Sequence, residues 1–375
     1  MTVQARFLAE LDAQSALRSA AGLLRTLALP AGVDVTSNDY LGYAADPQLA
    51  EQTADFVRTH GAGAGAARLL RGHLAIHAQA EAALAALAQR EAALLFSSGW
   101  AANTGLWPAL AGAGDVVFSH TANHASIIDG LRLSKAQRVI FHHPAELAQQ
   151  LQAPRAGRAF VAVESVQSMS GQLTDLPALC AVATAHGALV VVDEAHATGL
   201  YGRDGAGRVA ALGLGDQVLC TLHTGGKALG VGGAWLAGPQ ALVTHLLNHA
   251  RSFVYSTAVP PAIVGGLLAA LVRLQADAAV VAALHAKADW LRTTLAAAGL
   301  DLDGSQSCIV PVVLGAPERA LAVALALRGD GFDVRAVRPP TVPRGTSRLR
   351  LVVRAPLSEA DVQRLAARVI HHTRA

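Results

Sequence analysis

Lysine is nearly missing from this chain of 375 residues: only Lys135, Lys227 and Lys287 occur, and arginine carries almost all the positive charge. Cysteine is as scarce. Cys180, Cys220 and Cys308 are far apart, odd in number and set in or beside apolar runs. That excludes a disulfide framework and suits buried thiols in a reducing compartment. Aromatic residues make up 4%, too few for base-stacking surfaces. The net charge of +3 is spread along the chain without a Lys/Arg run, so no nucleic-acid partner is expected. The longest apolar stretch, 258–272, starts at a Pro-Pro pair and is too short to span a bilayer, so no membrane partner is expected. Arg6, Glu10 and Asp12 occupy the place of an apolar signal core. A cytoplasmic protein is the expectation.

Two chemistries are also missing. The chain has 15 histidines, and His73/His77 and His120/His124 have helical spacing. No HExxH or Cys/His cluster accompanies them, so no metal site is expected. No G-x-S-x-G elbow is present, which weighs against an α/β-hydrolase. The Gly-Ala segment 61–66 nearly fits a dinucleotide fingerprint, but a helical pattern precedes it where a strand is required.

What is present is a large core. The chain is 52% hydrophobic and 15% charged, and its length suggests about two domains. Helical patterns cover 7–27, 47–60 and 76–89. From 93 onward short apolar runs alternate with helical ones: strands at 93–96, 116–118, 138–141, 160–164, 188–192, 218–222 and 234–237. This rhythm predicts a mostly parallel sheet covered by helices. A long helical region follows to about 298, then alternating strand and helix pieces that read as an α+β part.

Residues 188–233 organise the rest. The first buried run ends in Asp193-Glu194-Ala195-His196, and the second leads into Thr224-Gly225-Gly226-Lys227. Open α/β sheets put ligands at such strand ends. A lysine between glycines there has little surface role, and when partly desolvated it can attack a carbonyl. Pyridoxal 5′-phosphate (PLP) needs a lysine for its Schiff base and a carboxylate to keep its ring nitrogen protonated. Lys227 and Asp193 suit those two needs, with His196 as a hydrogen-bonding partner. The strand–Gly–helix transition at 97–103 suits a phosphate cradle.

Set side by side, several stretches are similar to the α-oxoamine synthases. They are SNDYLG at 37–42, SGWAAN at 98–103, His124-Ala125-Ser126, the segment 164–171, VDEAHATG at 192–199, TGGKALG at 224–230, YSTAVPP at 255–261 and RPPTVPRGTSRLR at 338–350. The resemblance implies an α/β PLP-dependent transferase of fold type I. Its large domain carries a mostly parallel seven-stranded sheet, and a smaller α+β C-terminal domain follows. The implied division is an N-terminal helical segment 1–38, a large PLP-binding domain 39–270 and a small domain 271–375.

The resemblance also implies roles. Lys227 binds the cofactor, Asp193 faces the ring nitrogen, and His196 and Ser168 bond the ring oxygen. His124 stacks on the ring. Gly99, Trp100 and Thr224 hold the phosphate, and Ser256 or Thr257 reaches it from the partner subunit of a homodimer. Arg350 takes the amino-acid carboxylate, Thr341 and Arg25 line the acyl path, and Asn38 and His124 belong with the substrate-binding residues. The last two stretches favour the branch that joins L-alanine to a pimeloyl thioester, on CoA or a carrier protein, in biotin biosynthesis. The alternatives are glycine-using sister synthases of the glycine C-acetyltransferase or 5-aminolevulinate synthase type. A plain aminotransferase would release no thiol, and a PLP-binding regulatory module would be expected beside a DNA-binding domain.

Overall fold

Short β-branched runs bounded by turn residues form strands buried on both faces. The computed structural model, which describes residues Met1 to Arg374, places them at the core. In chain order the strands are β1 (Val33–Asp34), β2 (Ala92–Phe96), β3 (Val116–His120), β4 (Gln137–Phe141), β5 (Ala159–Glu164) and β6 (Ala188–Asp193). They continue with β7 (Val218–Thr224), β8 (Ala234–Gly238), β9 (Ile309–Gly315), β10 (Phe332–Asp333), β11 (Ala336–Val337) and β12 (Ser347–Val352). The first five helices are α1 (Val3–Ala20), α2 (Pro47–His60), α3 (Ala75–Leu87), α4 (Gly99–Leu110) and α5 (Ala125–Leu133).

The larger of two units comprises Asn38–Ser168 and Gln172–Leu284. Its seven-stranded sheet has the order β2-β8-β7-β6-β5-β3-β4. Neighbours from β7 through β6, β5 and β3 to β4 are parallel, and only β8 runs against its neighbours β2 and β7. The inner parallel strands bury both faces, by alternation, while the edge strand β4 is largely exposed. On β5, Phe160 and Ala162 enter the core under Leu106, Trp107 and Ile127 of α4 and α5. Ala159, Val161 and Val163 enter the opposite core with Leu176, Leu179 and Cys180. Each fully buried large apolar side chain contributes about 1.5–3 kcal/mol. Because the core strands are parallel, β5, β6 and β7 all end at the same sheet edge.

The smaller unit comprises Met1–Ser37, Met169–Gly171 and the chain from His285 onward. It holds the antiparallel sheet β11-β12-β9 and the parallel pair β1-β10. The residues before 38 therefore do not stand alone, because β1 pairs Val33 with Phe332. The division also falls at Leu284/His285, inside the helix Ala278–Ala297, and not near residue 270. The helix expected at 7–27 runs from Val3 to Ala20. Gly22 adopts φ 63°, and the N–H groups of Leu23 and Leu24 close back on the Arg18 carbonyl, which ends it. Among the described residues no single helix is long and apolar enough to cross a membrane.

Candidate active site

The common strand edge of the larger unit gathers the site. β6 ends at Asp193 and β5 at Glu164, while β7 ends at Thr224, three residues before Lys227. The Gly-rich turn after β7 is built for close packing. A Cβ on Gly225 would lie 2.3 Å from the Gly232 carbonyl oxygen, and one on Gly230 (φ 65°) would lie 2.3 Å from the Ala44 nitrogen. Both positions need glycine, so the turn that carries Lys227 is held tightly against its surroundings.

A cavity of about 180 Å³ opens here, with Lys227, Asp193, His124, Gly99, Trp100 and Thr224 among its lining residues. Ser126, Glu164, Ala195 and Leu222 complete the wall. A larger hollow of about 480 Å³ lies by α3 and is lined mostly by Ala, Leu and Val side chains, with Arg203 and Asp204 as its only charged members. Size alone would favour that hollow, but the convergent polar groups are in the smaller cavity.

Lys227 Nζ lies 3.0 Å from His196 Nε2, and His196 Nδ1 lies 2.7 Å from the Tyr40 hydroxyl. The Asp193 carboxylate is 8% exposed and held from two sides. Asn103 Nδ2 donates to Oδ2 at 3.1 Å, and the Ala195 N–H donates to Oδ1 at 3.0 Å. Ser98 caps α4 by accepting from the Ala101 N–H at 3.1 Å. Gly99 and Trp100 at the helix start line the cavity, where their N–H groups and the positive end of the helix dipole suit an anion. Thr224 Oγ1 donates to the Gly233 carbonyl and accepts from the Gly226 N–H.

Burial holds the His124 imidazole below its ordinary pKa; the Asp193 charge opposes that shift and the Lys227 charge adds to it. Burial also pushes the Glu164 carboxyl up to about 7, and the Asp193 charge adds to the push. Glu164 Oε2 accepts the Ser168 N–H at 2.8 Å.

Of the residues expected from sequence, the structure brings Lys227, Asp193, His124, Gly99, Trp100 and Thr224 to one cavity, with His196 against Lys227. Ser168 is buried beside Glu164 and does not line the cavity. Asn38 is half-buried at the start of the larger unit. Ser256 is half-buried and Thr257 exposed, and neither lines this chain's own cavity. In the smaller unit, Arg25 Nη2 donates to Thr341 Oγ1 at 2.9 Å, so two residues expected along one path are in contact. Arg350 is buried on β12 opposite Pro311, and Arg348, two residues before it, is committed to an ion pair with Asp303. Tyr40, Asn103, Ser126 and Glu164 were not expected as site residues. All four lie inside stretches that carry the resemblance, which is the only signal the sequence held for them.

The other two lysines differ. Lys135 is exposed. Lys287 donates to the carbonyls of Ala355 and Leu357, both at 2.7 Å, and bridges that loop.

The residues fit PLP: a buried carboxylate for a protonated ring nitrogen, a lysine within reach of a histidine, an imidazole at the cavity wall and a helix start for the phosphate. A family model for class I and II aminotransferases matches residues 30–369. A serine palmitoyltransferase from S. paucimobilis superposes with TM-score 0.90 at 27% identity, covering 100% of this chain and 99% of that one. The 8-amino-7-oxononanoate synthase of Francisella tularensis superposes with TM-score 0.79 at 26% identity, covering 92% and 98%. Fold and site thus define a PLP-dependent transferase of fold type I. Curated 8-amino-7-oxononanoate synthases match throughout: that of Anaeromyxobacter dehalogenans is 47% identical over 88% of this chain and 83% of its own length, and that of Geobacter sulfurreducens is 41% identical over 94% and 92%. The chain belongs to the 8-amino-7-oxononanoate synthase family.

Glu194, beside Asp193, provides a pH test of this edge. It is fully buried, burial pushes its carboxyl up to about 7, and its Oε2 accepts the Val209 N–H at 3.4 Å. An unfolded glutamate titrates near 4.5, so the folded state binds the extra proton between that value and about 7. Stability therefore falls as pH rises through this window. Glu194→Gln keeps the shape and removes the titration. Melting temperatures between about pH 5 and 8 should slope downward less in Glu194→Gln than in the parent, and equal slopes would remove Glu194 from the account.

Proposed function

We propose that the chain joins L-alanine to a pimeloyl thioester, carried on CoA or on a carrier protein, with loss of CO2 and the thiol, as a step of biotin biosynthesis. The observation that carries this reading is the contact of Lys227 with His196 beside the buried Asp193, in a chain of this family. Bound PLP supplies an electron sink for the negative charge left at Cα of the amino acid. Lys227 holds the cofactor, and its freed Nζ takes the Cα proton and later returns one. Asp193 keeps the ring nitrogen protonated through its charge. His124 covers the ring face and excludes water, and His196 and Ser168 serve the ring oxygen. Gly99, Trp100 and Thr224 take the phosphate. The nucleophilic Cα forms its bond to the thioester carbonyl as the C–S bond breaks; the carboxylate then leaves as CO2, and a proton replaces it.

Arg350 takes the alanine carboxylate in this reading, with Asn38 also toward the substrate, while Arg25 and Thr341 serve the acyl chain. A homodimer is part of the proposal, with Ser256 or Thr257 completing the partner's phosphate site. The exposed Leu69, Leu70 and Tyr255 support it, because they flank the bridge between Ala67 and Thr257 and suit a second copy. A cytoplasmic setting suits the three buried thiols, with Cys180 pushed up to about 11 and Cys220 and Cys308 to about 12 by burial.

The test is thiol release from pimeloyl-CoA with L-alanine. Thiol release with glycine and acetyl- or succinyl-CoA, and none with alanine, would assign the chain to a sister activity. In the same assay Arg350→Ala should weaken alanine binding about 10- to 100-fold, the loss of a hydrogen-bonded charge. Lysine should restore it only in part, because it lacks the guanidinium fork. Arg348→Ala should leave alanine binding near the parent value, because Arg348 is spent on Asp303. The reverse pattern would shift the carboxylate site to Arg348.

A further inference from the structure

His124 is the N-cap of α5, and a cap must supply an acceptor. Its Nδ1 accepts the Ser126 N–H at 3.2 Å. The Ser126 hydroxyl lies 2.7 Å from the same nitrogen. That hydroxyl already accepts from Asn103 Nδ2 at 2.9 Å, so its own proton is available to His124. Two donors onto one ring nitrogen, the hydroxyl at 2.7 Å and the longer backbone N–H at 3.2 Å, together oppose a hydrogen of its own there. Nδ1 is therefore unprotonated, and the single proton of the neutral imidazole sits on Nε2. Asn103 spends a second N–H on Asp193 Oδ2 at 3.1 Å. A continuous path thus runs from His124 through Ser126 and Asn103 to Asp193.

We propose that Ser126 is a positioning residue that holds His124 as the neutral Nε2–H tautomer and ties it through Asn103 to Asp193. The outer edge of the imidazole is then a donor. No described residue partners Nε2, so this edge is available to an acceptor oxygen of a bound molecule, such as a carboxylate or carbonyl. The charged and titratable groups that share the cavity are Asp193, Lys227 and Glu164. Two donors onto Nδ1 oppose its protonation, and burial separately holds the imidazole below its ordinary pKa.

The experiment uses PLP-loaded enzyme with ¹⁵N-labelled histidine. Two-bond ¹H–¹⁵N spectra read the tautomer, and His124→Gln identifies the signals of His124. The parent should show an unprotonated Nδ1 and a protonated Nε2. Ser126→Ala, which keeps only the longer backbone donor, should show mixed tautomers. The same variant should raise KM for the amino acid about 3- to 10-fold, the loss of one hydrogen bond, with a smaller change in kcat. Ser126→Thr keeps the hydroxyl and should restore both. The KM arm rests on the proposed function, whereas the spectrum does not, so the two readings fail separately. A parent spectrum with the proton on Nδ1 overturns the proposal even if the alanine variant does not fold. So does a Ser126→Ala enzyme whose His124 keeps the parent's tautomer.

Discussion

Lys227→Ala should fold as the parent does and lose the reaction. The turn that carries Lys227 is held by its glycines and by backbone bonds from Gly230 to the Lys227 carbonyl and from Val231 to the Gly225 carbonyl, none of which uses the amine. What disappears is the nitrogen proposed to take the Cα proton. A positioned acid or base contributes about 10²–10⁴-fold, and here the covalent hold on the cofactor goes as well. Turnover should therefore fall by about 10³-fold or more, while circular dichroism and melting change little. Exchange of the alanine Cα proton with solvent is the direct readout, because it isolates the proton step from acyl transfer. Exchange within about tenfold of the parent would mean that another group is the base. His196 would then be the first candidate, since it lies 3.0 Å from Nζ.

Asp193→Asn should give the second-largest effect, by a different route. The side chain keeps its size, and its oxygen can still accept the Ala195 N–H. What is lost is the acceptor for Asn103 Nδ2 and, with the larger effect, a negative charge at a residue that is 8% exposed, where charges act over short distances with little screening. The carboxylate no longer favours a protonated ring nitrogen, and the electron sink weakens. Removing one preorganised electrostatic partner costs about 10²–10³-fold, so Cα-proton exchange should fall by about that factor. Cofactor binding should persist, since the proposed phosphate contacts are at the start of α4 and at Thr224. The Asp193 charge also helps to raise Glu164, so the variant should lower that carboxyl toward its ordinary range. Exchange close to the parent rate would take Asp193 out of the catalytic account.

Much of this was legible in the chain because it depends on local pattern. The helix at 47–60 and the strands leading to Asp193 and Thr224 follow from apolar runs and their bounding turns. The placement of Asp193 and Lys227 at one sheet edge follows from parallel topology alone. The antiparallel direction of β8 was not readable, because a short buried run carries no mark of its direction. The membership of the first 37 residues in the smaller unit depends on Val33 meeting Phe332, a pairing no local signal announces. The same holds for Arg25 and Thr341, 316 positions apart. Tyr40, Asn103 and Ser126 were visible within recognisable stretches, but their work was not. Tyr40 and Asn103 act by hydrogen bonds to distant side chains, and Ser126 bonds both its neighbour His124 and the distant Asn103, so only coordinates show the partners.

The central claim is that Lys227 is the residue that binds the cofactor, and borohydride tests it most directly. Reduction of the PLP-loaded enzyme followed by proteolysis and mass spectrometry locates the fixed pyridoxyl group. Lys135 is exposed on the surface and Lys287 is spent on backbone carbonyls, so neither offers an amine beside a buried carboxylate and a histidine. The account predicts a single labelled peptide containing Lys227. A label on Lys135 or Lys287, with Lys227 unmodified, would contradict it.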